Sequence, residues 1–254
     1  MKFIGIIPAR YASSRFPGKP LADLCGKTVI ERVYRQAEKA LETVVVATDD
    51  ERIANAVKSF GGKVVITSPK HQSGTDRCME AVEKLGIEAD VVINIQGDEP
   101  FIQPQQIEAL KSCFPTDIAT LAKPFNDNDK LEDLINPNNV KVVFSSITGN
   151  ALYFSRSVIP YLRNIPQTQW LQSHTFYKHI GLYAYRTDIL KEITRIQQST
   201  LELTESLEQL RWLENGYQIK VAVSQNASIG IDTPEDLQQA INYLQTHPDL
   251  FPSF

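Results

Sequence analysis

Short apolar runs alternate with segments of helical spacing along the first 122 residues, and this alternation constrains the fold more than any other feature. The apolar runs predict strands at residues 3–7, 43–47, 63–67 and 90–95. Helical spacing and capping residues predict helices at residues 27–41, 49–60, 76–85 and 104–112. Strands that are apolar throughout are typical of parallel sheets covered on both faces. We therefore expect an α/β fold with a Rossmann-like, mostly parallel sheet and helices on both faces.

The second half of the chain predicts an antiparallel insertion. Residues 123–139 are rich in Asn, Asp and Pro, which favours an irregular excursion with one short helix near Leu131. The sequence Thr148-Gly149-Asn150 is a hairpin signal. Strands are predicted at residues 117–122, 140–145, 151–154, 179–185 and 219–223. Helices are predicted at residues 204–214 and from 232–236 onward.

Composition argues against several classes of protein. A net charge of −4 and a pI near 5.6 disfavour a nucleic-acid-binding protein, which usually has a basic face. No apolar run approaches the ~20 residues of a membrane-spanning helix, and the N-terminus does not read as a signal peptide. The cysteines Cys25, Cys78 and Cys113 are widely spaced, which fits reduced thiols in a cytoplasmic protein. A G-x-G-x-x-G fingerprint is missing, so NAD is not the expected cofactor.

The loop after the first predicted strand carries three cations, Arg10, Arg15 and Lys19. Pro8 is expected to end the strand because it has no N–H to donate. Open α/β sheets bind their ligands at the carboxyl ends of the strands, and Arg and Lys both pair with phosphate oxygens. The loop therefore indicates a polyphosphate site, with a solvated basic turn as the alternative.

Two acids follow strands or precede helices at positions that suit a metal. Asp98 lies in a Gly-Asp-Glu-Pro turn after the fourth predicted strand, and Asp232 precedes Pro234. Mg2+ needs only one or two carboxylates when substrate phosphates supply further oxygens. The alternatives are an Asx turn for Asp98 and a helix N-cap for Asp232, although one oxygen could cap while the other binds metal.

Other polar residues are ambiguous when each is considered alone. The loop at residues 71–77 offers donors, and Arg77 offers a guanidinium for a carboxylate or phosphate, but such loops are often surface turns. His179 could be a packed strand histidine, and Glu208-Gln209 could lie on a solvated helix face.

Eight motifs follow one another along the chain: PARYASSRFPGKPL (8–21), HQSGTDR (71–77), NIQGDEP (94–100), NPNNVKVV (136–143), ALYFSR (151–156), HIGLYAYR (179–186), LEQLR (207–211) and IDTPEDL (231–237). Each motif is weak alone, but their order is highly specific. In these motifs the chain resembles the 3-deoxy-D-manno-octulosonate cytidylyltransferase family, the CMP-KDO synthetases of bacterial lipopolysaccharide synthesis, from its first strand to its last helix.

The resemblance implies roles for particular residues. Asp98 and Asp232 would hold Mg2+, and with Arg15 and Lys19 they would form the catalytic set. The residues that would bind CTP are Ala9, Arg10, Ser13, Arg15, Lys19, Ser73 and Gly74. The residues that would bind the sugar acid are Arg77, Gln96, His179, Tyr183, Glu208 and Gln209.

The resemblance also implies the organisation and setting of the protein. One nucleotidyltransferase domain would span residues 1–254, with residues 1–122 as mainly the nucleotide-binding half. The insertion at residues 123–186 would take part in sugar binding and dimerisation. A cytoplasmic homodimer is expected, with CTP and the octulosonate as substrates and no nucleic acid or membrane as partner.

Three alternatives stay open at the level of sequence. The chain could transfer the cytidylyl group to another acidic sugar, such as sialic acid or an 8-amino octulosonate. It could be a nucleotide-sugar glycosyltransferase of related fold, although that class favours an Asp-x-Asp pair after the fourth strand. It could also be a nucleotide sensor without catalytic activity.

Overall fold

The computed structural model describes residues 1–12, 15–126, 128–226 and 230–247, and it confirms the α/β class. Its strands are β1 (Phe3–Ala9), β2 (Val44–Thr48), β3 (Lys63–Ile66), β4 (Val91–Asn94), β5 (Ile118–Pro124), β6 (Lys141–Phe144), β7 (Ala151–Ser155), β8 (Tyr177–Arg186) and β9 (Ile219–Val223). Its α-helices are α1 (Val29–Ala37), α2 (Glu51–Ser59), α3 (Gly74–Leu85), α4 (Pro104–Lys111), α5 (Leu131–Ile135), α6 (Trp170–Ser173), α7 (Thr187–Ile193), α8 (Thr200–Glu205), α9 (Gln209–Glu214) and α10 (Pro234–Thr246). Short 3-10 helices span Lys19–Leu21 and Gln167–Gln169.

The chain forms two compact units, residues 1–107 with 228–254 and residues 108–227. In the first unit, β2 pairs with β3 and β1, and β1 pairs with β4, always in parallel. Strands β2 and β4 are buried along their whole length, which explains their continuous apolar sequences. The predicted parallel sheet is confirmed here. The helices that follow strands begin at side-chain caps, with Asp50 before α2 and Ser73 before α3.

The prediction that Pro8 ends the first strand is wrong, because β1 continues to Ala9. Pairing of β1 with β4 ends at Ile6, whereas pairing with β2 continues through Pro8 and Ala9. Pro8 therefore lies beyond the last residue of β1 that pairs with β4, and its missing N–H is tolerated at such a position near the end of a strand.

The second unit contains the predicted antiparallel segment. Strand β5 pairs antiparallel with β8 and parallel with β9. Strands β6 and β7 form the predicted hairpin, and Gly149 in its turn has a φ of 69°. Strand β6 also meets β8 at the pair Lys141 and Lys178.

The predicted helix at residues 204–214 is wrong in its continuity, since the region contains the two helices α8 and α9. Ser206 has a φ of 51°, in the left-handed region, and this residue ends α8. Its neighbours Glu205 and Leu207 both favour helix, so the sequence pattern did not reveal the break. The short helices α6 and α7 were not predicted.

Helix α10 completes the first unit. Its N-cap is Thr233, whose hydroxyl accepts a hydrogen bond from the Asp236 amide at 3.2 Å. The helix packs through Ala240 and Leu244 on a buried cluster that includes Leu24 and Phe101. This packing fixes the segment that carries Asp232. Within the described ranges, no helix has both the length and the apolar character to cross a membrane.

Candidate active site

A pocket lies at the carboxyl ends of β1 and β4 in the first unit. The ends of these two strands contribute Pro8 and Ala9 on one side and Gln96 and Gly97 on the other. The remaining lining residues are Arg10, Arg15, Lys19, Pro20, His71, Gln72, Ser73, Gly74, Arg77, Asp98 and Asp232. The pocket therefore occupies the sheet edge at which α/β folds bind ligands.

Two acids and two cations meet in this pocket. Lys19 Nζ lies 2.7 Å from Asp98 Oδ2 and 3.2 Å from Asp232 Oδ1. Arg15 Nη1 lies 3.2 Å from Asp232 Oδ2. The Lys19 side chain is 11% exposed, whereas that of Arg15 is 65% exposed. The buried ammonium thus joins two carboxylates that are far apart in the sequence.

Backbone contacts hold these acids in place. The amide of Ile231 donates a hydrogen bond to the carbonyl of Asp98 at 2.8 Å, which ties the two acidic segments together. The Asp232 amide donates to Asp236 Oδ2 at 3.0 Å. Since Thr233 caps α10, the Asp232 side chain is not needed as a cap, and the capping alternative for Asp232 is excluded.

Two glycines allow the loops of the site to approach closely. A Cβ at Gly97 would lie 2.8 Å from the Pro8 carbonyl oxygen, so a larger residue there would push the ends of β1 and β4 apart. Gly18 has a φ of 73° and lies against the Tyr11 ring, just before the 3-10 helix that carries Lys19. The backbone amide of Gly18 bonds to the Tyr11 carbonyl at 2.9 Å, closing the loop.

The two carboxylates fit a shared cation. A single ammonium contacts both, so the pair already accommodates one positive group. In the part of the chain that the structure describes, no group of three or more His, Cys, Asp or Glu residues could hold a metal. A divalent ion at Asp98 and Asp232 would therefore need oxygens from a ligand, which matches the usual coordination of Mg2+ in phosphate sites.

Arg77 lines the pocket but is also bonded within the protein. Its Nη1 donates to Thr67 Oγ1 at 2.6 Å, and its Nη2 lies 3.3 Å from Asp49 Oδ2. The residue is almost fully buried, so these contacts fix the loop between β3 and α3. The predicted role of Arg77 toward the sugar stays a prediction.

Sequence reasoning singled out the loop at residues 71–77 but assigned no role to His71 or Gln72, and it missed Glu80. His71 and Gln72 line the pocket, and His71 Nε2 is hydrogen-bonded to Glu80 Oε2. Glu80 lies three residues after Arg77 and thus on the same side of α3. That spacing was the available signal, although glutamates on helices are usually solvated.

The other predicted sugar residues lie in the second unit and form a different kind of cluster. His179 Nε2 lies 3.0 Å from Thr120 Oγ1, and the rings of His179 and Tyr183 are 5.4 Å apart. Tyr183 meets the Trp212 ring edge to face at 5.3 Å. Gln209 is 5% exposed, so the solvated-face alternative for it is excluded.

Burial keeps this second cluster neutral. It lowers the pKa of His179 from 6.5 to about 3 and raises the pKa of Tyr183 well above its ordinary value. Gln209 Nε2 and Trp212 Nε1 are buried donors without a hydrogen-bond acceptor among the described residues. Unpaired buried donors are costly, and they suit a ligand that brings hydroxyl or carbonyl oxygens.

The predicted residues therefore divide by unit. All the CTP residues that the structure describes line the pocket of the first unit, and Ser13 lies outside the described residues. Of the sugar residues, Arg77 and Gln96 line the same pocket, whereas His179, Tyr183, Glu208 and Gln209 belong to the second unit. Glu208 Oε1 accepts a hydrogen bond from Arg211.

Fold and pocket together define an α/β protein with a charged ligand site at the carboxyl ends of parallel strands. The family model described as Cytidylyltransferase matches residues 4–220. A 3-deoxy-manno-octulosonate cytidylyltransferase from Parabacteroides distasonis is 63% identical over 248 residues, covering 96% of this chain and 98% of the relative. One from Aliivibrio fischeri is 49% identical, covering 94% of this chain and 97% of the relative. The chain belongs to the cytidylyltransferase family, and within it to the 3-deoxy-manno-octulosonate cytidylyltransferases.

Solved structures agree with this assignment. A CMP:2-keto-3-deoxy-manno-octonic acid synthetase complexed with CTP is 40% identical and superposes with a TM-score of 0.88, covering 97% of this chain and 100% of the other. A 4-diphosphocytidyl-2C-methyl-D-erythritol synthase from Anaerococcus prevotii is 16% identical with a TM-score of 0.60, covering 96% of this chain and 99% of the other. The second likeness shows the shared fold alone.

Proposed function

We propose that this chain transfers the cytidylyl group of CTP to the anomeric 2-hydroxyl of 3-deoxy-D-manno-octulosonate and releases pyrophosphate, as a step of lipopolysaccharide biosynthesis. The observation that carries the proposal is the meeting of Lys19 with Asp98 and Asp232 at the carboxyl ends of the parallel strands. Full-length relatives with this activity in their names support it.

The triphosphate would bind to the cations of the loop after β1. Arg10, Arg15 and Lys19 all line the pocket, and Arg15 is exposed enough to meet an incoming phosphate. Guanidinium groups pair with two phosphate oxygens at once, and the Lys19 ammonium offers a compact third charge. These cations would also stabilise the charge that develops on the leaving pyrophosphate.

The nucleoside would lie against the start of α3. Ser73 caps this helix and Gly74 begins it, so backbone N–H groups of the first turn are near the ligand. A Cβ built at Gly74 would lie 3.3 Å from the Pro8 ring, so a side chain there would be tightly packed against the end of β1. Ser73 and the neighbouring backbone would help to select cytosine.

Asp98 and Asp232 would hold Mg2+ together with phosphate oxygens. Bound there, the ion would supply Lewis-acid polarisation of the phosphoryl group and neutralise part of its charge. The chain's own contribution is to keep the two carboxylates adjacent, through the Ile231 to Asp98 backbone bond and the cap at Thr233.

The sugar acid would be recognised by uncharged polar side chains, by one carboxylate and by one buried cation. Arg77 would face its carboxylate, and Gln96, His179, Tyr183, Glu208 and Gln209 would meet its hydroxyls. The low pKa of His179 keeps its imidazole neutral at physiological pH, so the ring can both donate and accept.

The transfer itself needs positioning more than covalent catalysis. The 2-hydroxyl oxygen attacks the α-phosphorus in line, forming an O–P bond, while the bond from that phosphorus to the bridging oxygen of pyrophosphate breaks. The hydroxyl proton leaves to solvent. We assign no general base.

The test is pyrophosphate release from CTP and 3-deoxy-D-manno-octulosonate, with and without EDTA. We expect release that stops with EDTA and returns with added Mg2+. Release of a nucleoside diphosphate would instead indicate a glycosyltransferase, and no steady release would indicate a nucleotide sensor. Faster turnover with sialic acid or the 8-amino octulosonate would reassign the sugar.

We also propose that the chain acts as a cytoplasmic homodimer, with residues 123–186 contributing to the contact. The family resemblance supports the dimer. The three free cysteines, Cys25, Cys78 and Cys113, fit a reducing compartment. Sedimentation equilibrium at a mass of twice 28.6 kDa would support the dimer, and a monomer mass would contradict it.

A further inference from the structure

The loop between β3 and α3 is held by side chains of the helix that it leads into. Glu80 Oε2 accepts the Ser68 amide at 2.8 Å and also bonds His71 Nε2. One turn further along, Lys84 Nζ donates to the Ile66 carbonyl at 3.0 Å. The helix thus fixes both the start of this loop and its histidine.

Glu80 is an ionised acceptor in this arrangement. Burial raises its pKa, but hydrogen bonds from Lys84, the Ser68 amide and His71 lower it more, so that the pKa falls to about 2. An ionised carboxylate has no proton to give, so the proton between Glu80 and His71 belongs to Nε2. The other ring nitrogen, Nδ1, then remains to interact with other groups.

His71 lies on the wall of the nucleotide pocket, in the same lining as Ser73 and Arg10. Glu80 does not line the pocket, so it can act on a ligand only through the loop that it holds. A ring whose Nε2 is anchored presents Nδ1 in a fixed direction, which spares a bound ligand the cost of ordering it.

We propose that Glu80 is a positioning residue for CTP, holding His71 in the orientation in which its ring contacts the nucleotide. This inference rests on the proposed function, since it takes CTP as the ligand of the pocket. It adds a pair of residues, Glu80 and His71, to the nucleotide side of the reaction.

The experiment compares Glu80→Gln, His71→Ala and the double variant, by CTP titration calorimetry and by steady-state pyrophosphate release. We expect the Kd and KM for CTP to rise about tenfold in each single variant, and kcat and the KM for the sugar to stay within about twofold. Because Glu80 acts through His71, the double variant should be no weaker than His71→Ala alone.

Two control variants on the same helix separate positioning from stability. Glu83→Gln changes an exposed carboxylate and should leave CTP binding unchanged. Lys84→Met removes the contacts of Lys84 to the Ile66 carbonyl at the end of β3 and to Glu80, but it keeps the bond between Glu80 and His71 and does not alter a pocket residue. It should lower the melting temperature and leave the affinity for CTP unchanged. If Glu80 acted only through stability, Lys84→Met would weaken CTP binding as Glu80→Gln does.

The outcomes distinguish this inference from the proposed function. CTP affinity at the wild-type level in folded Glu80→Gln and His71→Ala would overturn the inference and leave the function intact. If Glu80→Gln does not fold, His71→Ala decides alone. CTP binding without pyrophosphate release in the wild type would overturn the function only, and no CTP binding would overturn both.

Discussion

The two units hold polar residues of opposite character. In the first unit, Lys19, Arg15 and their two acids are charged and paired with one another. In the second unit, His179 and Gln209 are buried and uncharged, and the Gln209 amide has no acceptor among the described residues. One region satisfies its own charges, and the other leaves part of its hydrogen-bonding capacity unused.

This difference predicts how each region responds to a ligand. We expect a divalent ion at Asp98 and Asp232 to displace the Lys19 ammonium, which would then meet a phosphate. The ionic site would therefore exchange partners on binding. In the neutral cluster, an unpaired buried donor costs about 1–3 kcal/mol, and a ligand that pairs with it recovers that cost.

The largest expected effect comes from Asp98→Asn, which removes one of the two carboxylate charges of the ionic site in the first unit. Loss of one carboxylate charge should lower kcat by at least about 10²-fold, because the site loses part of its capacity to hold a divalent ion. Pyrophosphate release and thermal melting measure this, with Glu42→Gln, an exposed acid of the same unit, as the control. Turnover at the wild-type level in Asp98→Asn would remove Asp98 from the site.

The next largest expected effect is a dependence of stability on pH, caused by the buried, uncharged His179 of the second unit. Folded His179 stays uncharged down to about pH 3, whereas the unfolded chain binds a proton below about pH 6.5. The contribution of His179 to the free energy of unfolding is therefore fully present above pH 6.5 and decreases as the pH falls toward 3. The free energy of unfolding should thus be lower at pH 5 than at pH 7 by about 2 kcal/mol.

Urea denaturation at the two pH values tests the contribution of His179. The loss should be smaller by that amount in His179→Gln and unchanged in His247→Gln, an exposed histidine. An equal loss in the wild type and in His179→Gln would show that the ring is not held neutral by burial.

A smaller change is expected from Gln209→Met, which tests whether the unpaired amide serves a ligand. The KM for the sugar should rise about tenfold, while stability stays equal or increases because a buried donor without an acceptor is removed. Gln172→Met, at an exposed site of the same unit, is the control. Lower stability with an unchanged sugar KM would make Gln209 structural.

The smallest change is expected from Arg15→Ala. Its side chain is 65% exposed, so solvent screens its charge and the KM for CTP should rise only about fivefold, with the sugar KM unchanged. Steady-state kinetics with each substrate varied in turn measure this, with exposed Arg163→Ala as the control. An unchanged CTP titration would count against the phosphate role.

The sequence predicted the ionic site better than the neutral one, for a physical reason. Arg15, Lys19 and Asp98 follow strands, and the carboxyl ends of parallel strands meet at one edge, so alternation alone places them together. The position of Asp232 depends on the packing of α10, a tertiary contact that no local pattern encodes. The sequence offered Asp232 only as a candidate acid before a helix, with an N-cap as the alternative, and the family motifs favoured the metal role.

The residues of the neutral cluster could not be placed from periodicity. Gln209 is buried because the chain changes direction at Ser206, a residue in the left-handed conformation. The sequence pattern is helical on both sides of Ser206, so it did not reveal this break. The bond between His71 and Glu80 could not be predicted, because it joins a loop to a helix. Such contacts depend on the folded geometry rather than on spacing.

The most direct measurement is a crystal structure of the protein with CTP and Mn2+, with the metal located by anomalous scattering. We expect one or more metal ions bonded to Asp98 and Asp232, phosphate oxygens against Arg15, and the Lys19 ammonium moved from the carboxylates to the triphosphate. A metal or nucleotide bound elsewhere, or Lys19 still bridging both acids beside bound CTP, would contradict the assignment of this pocket.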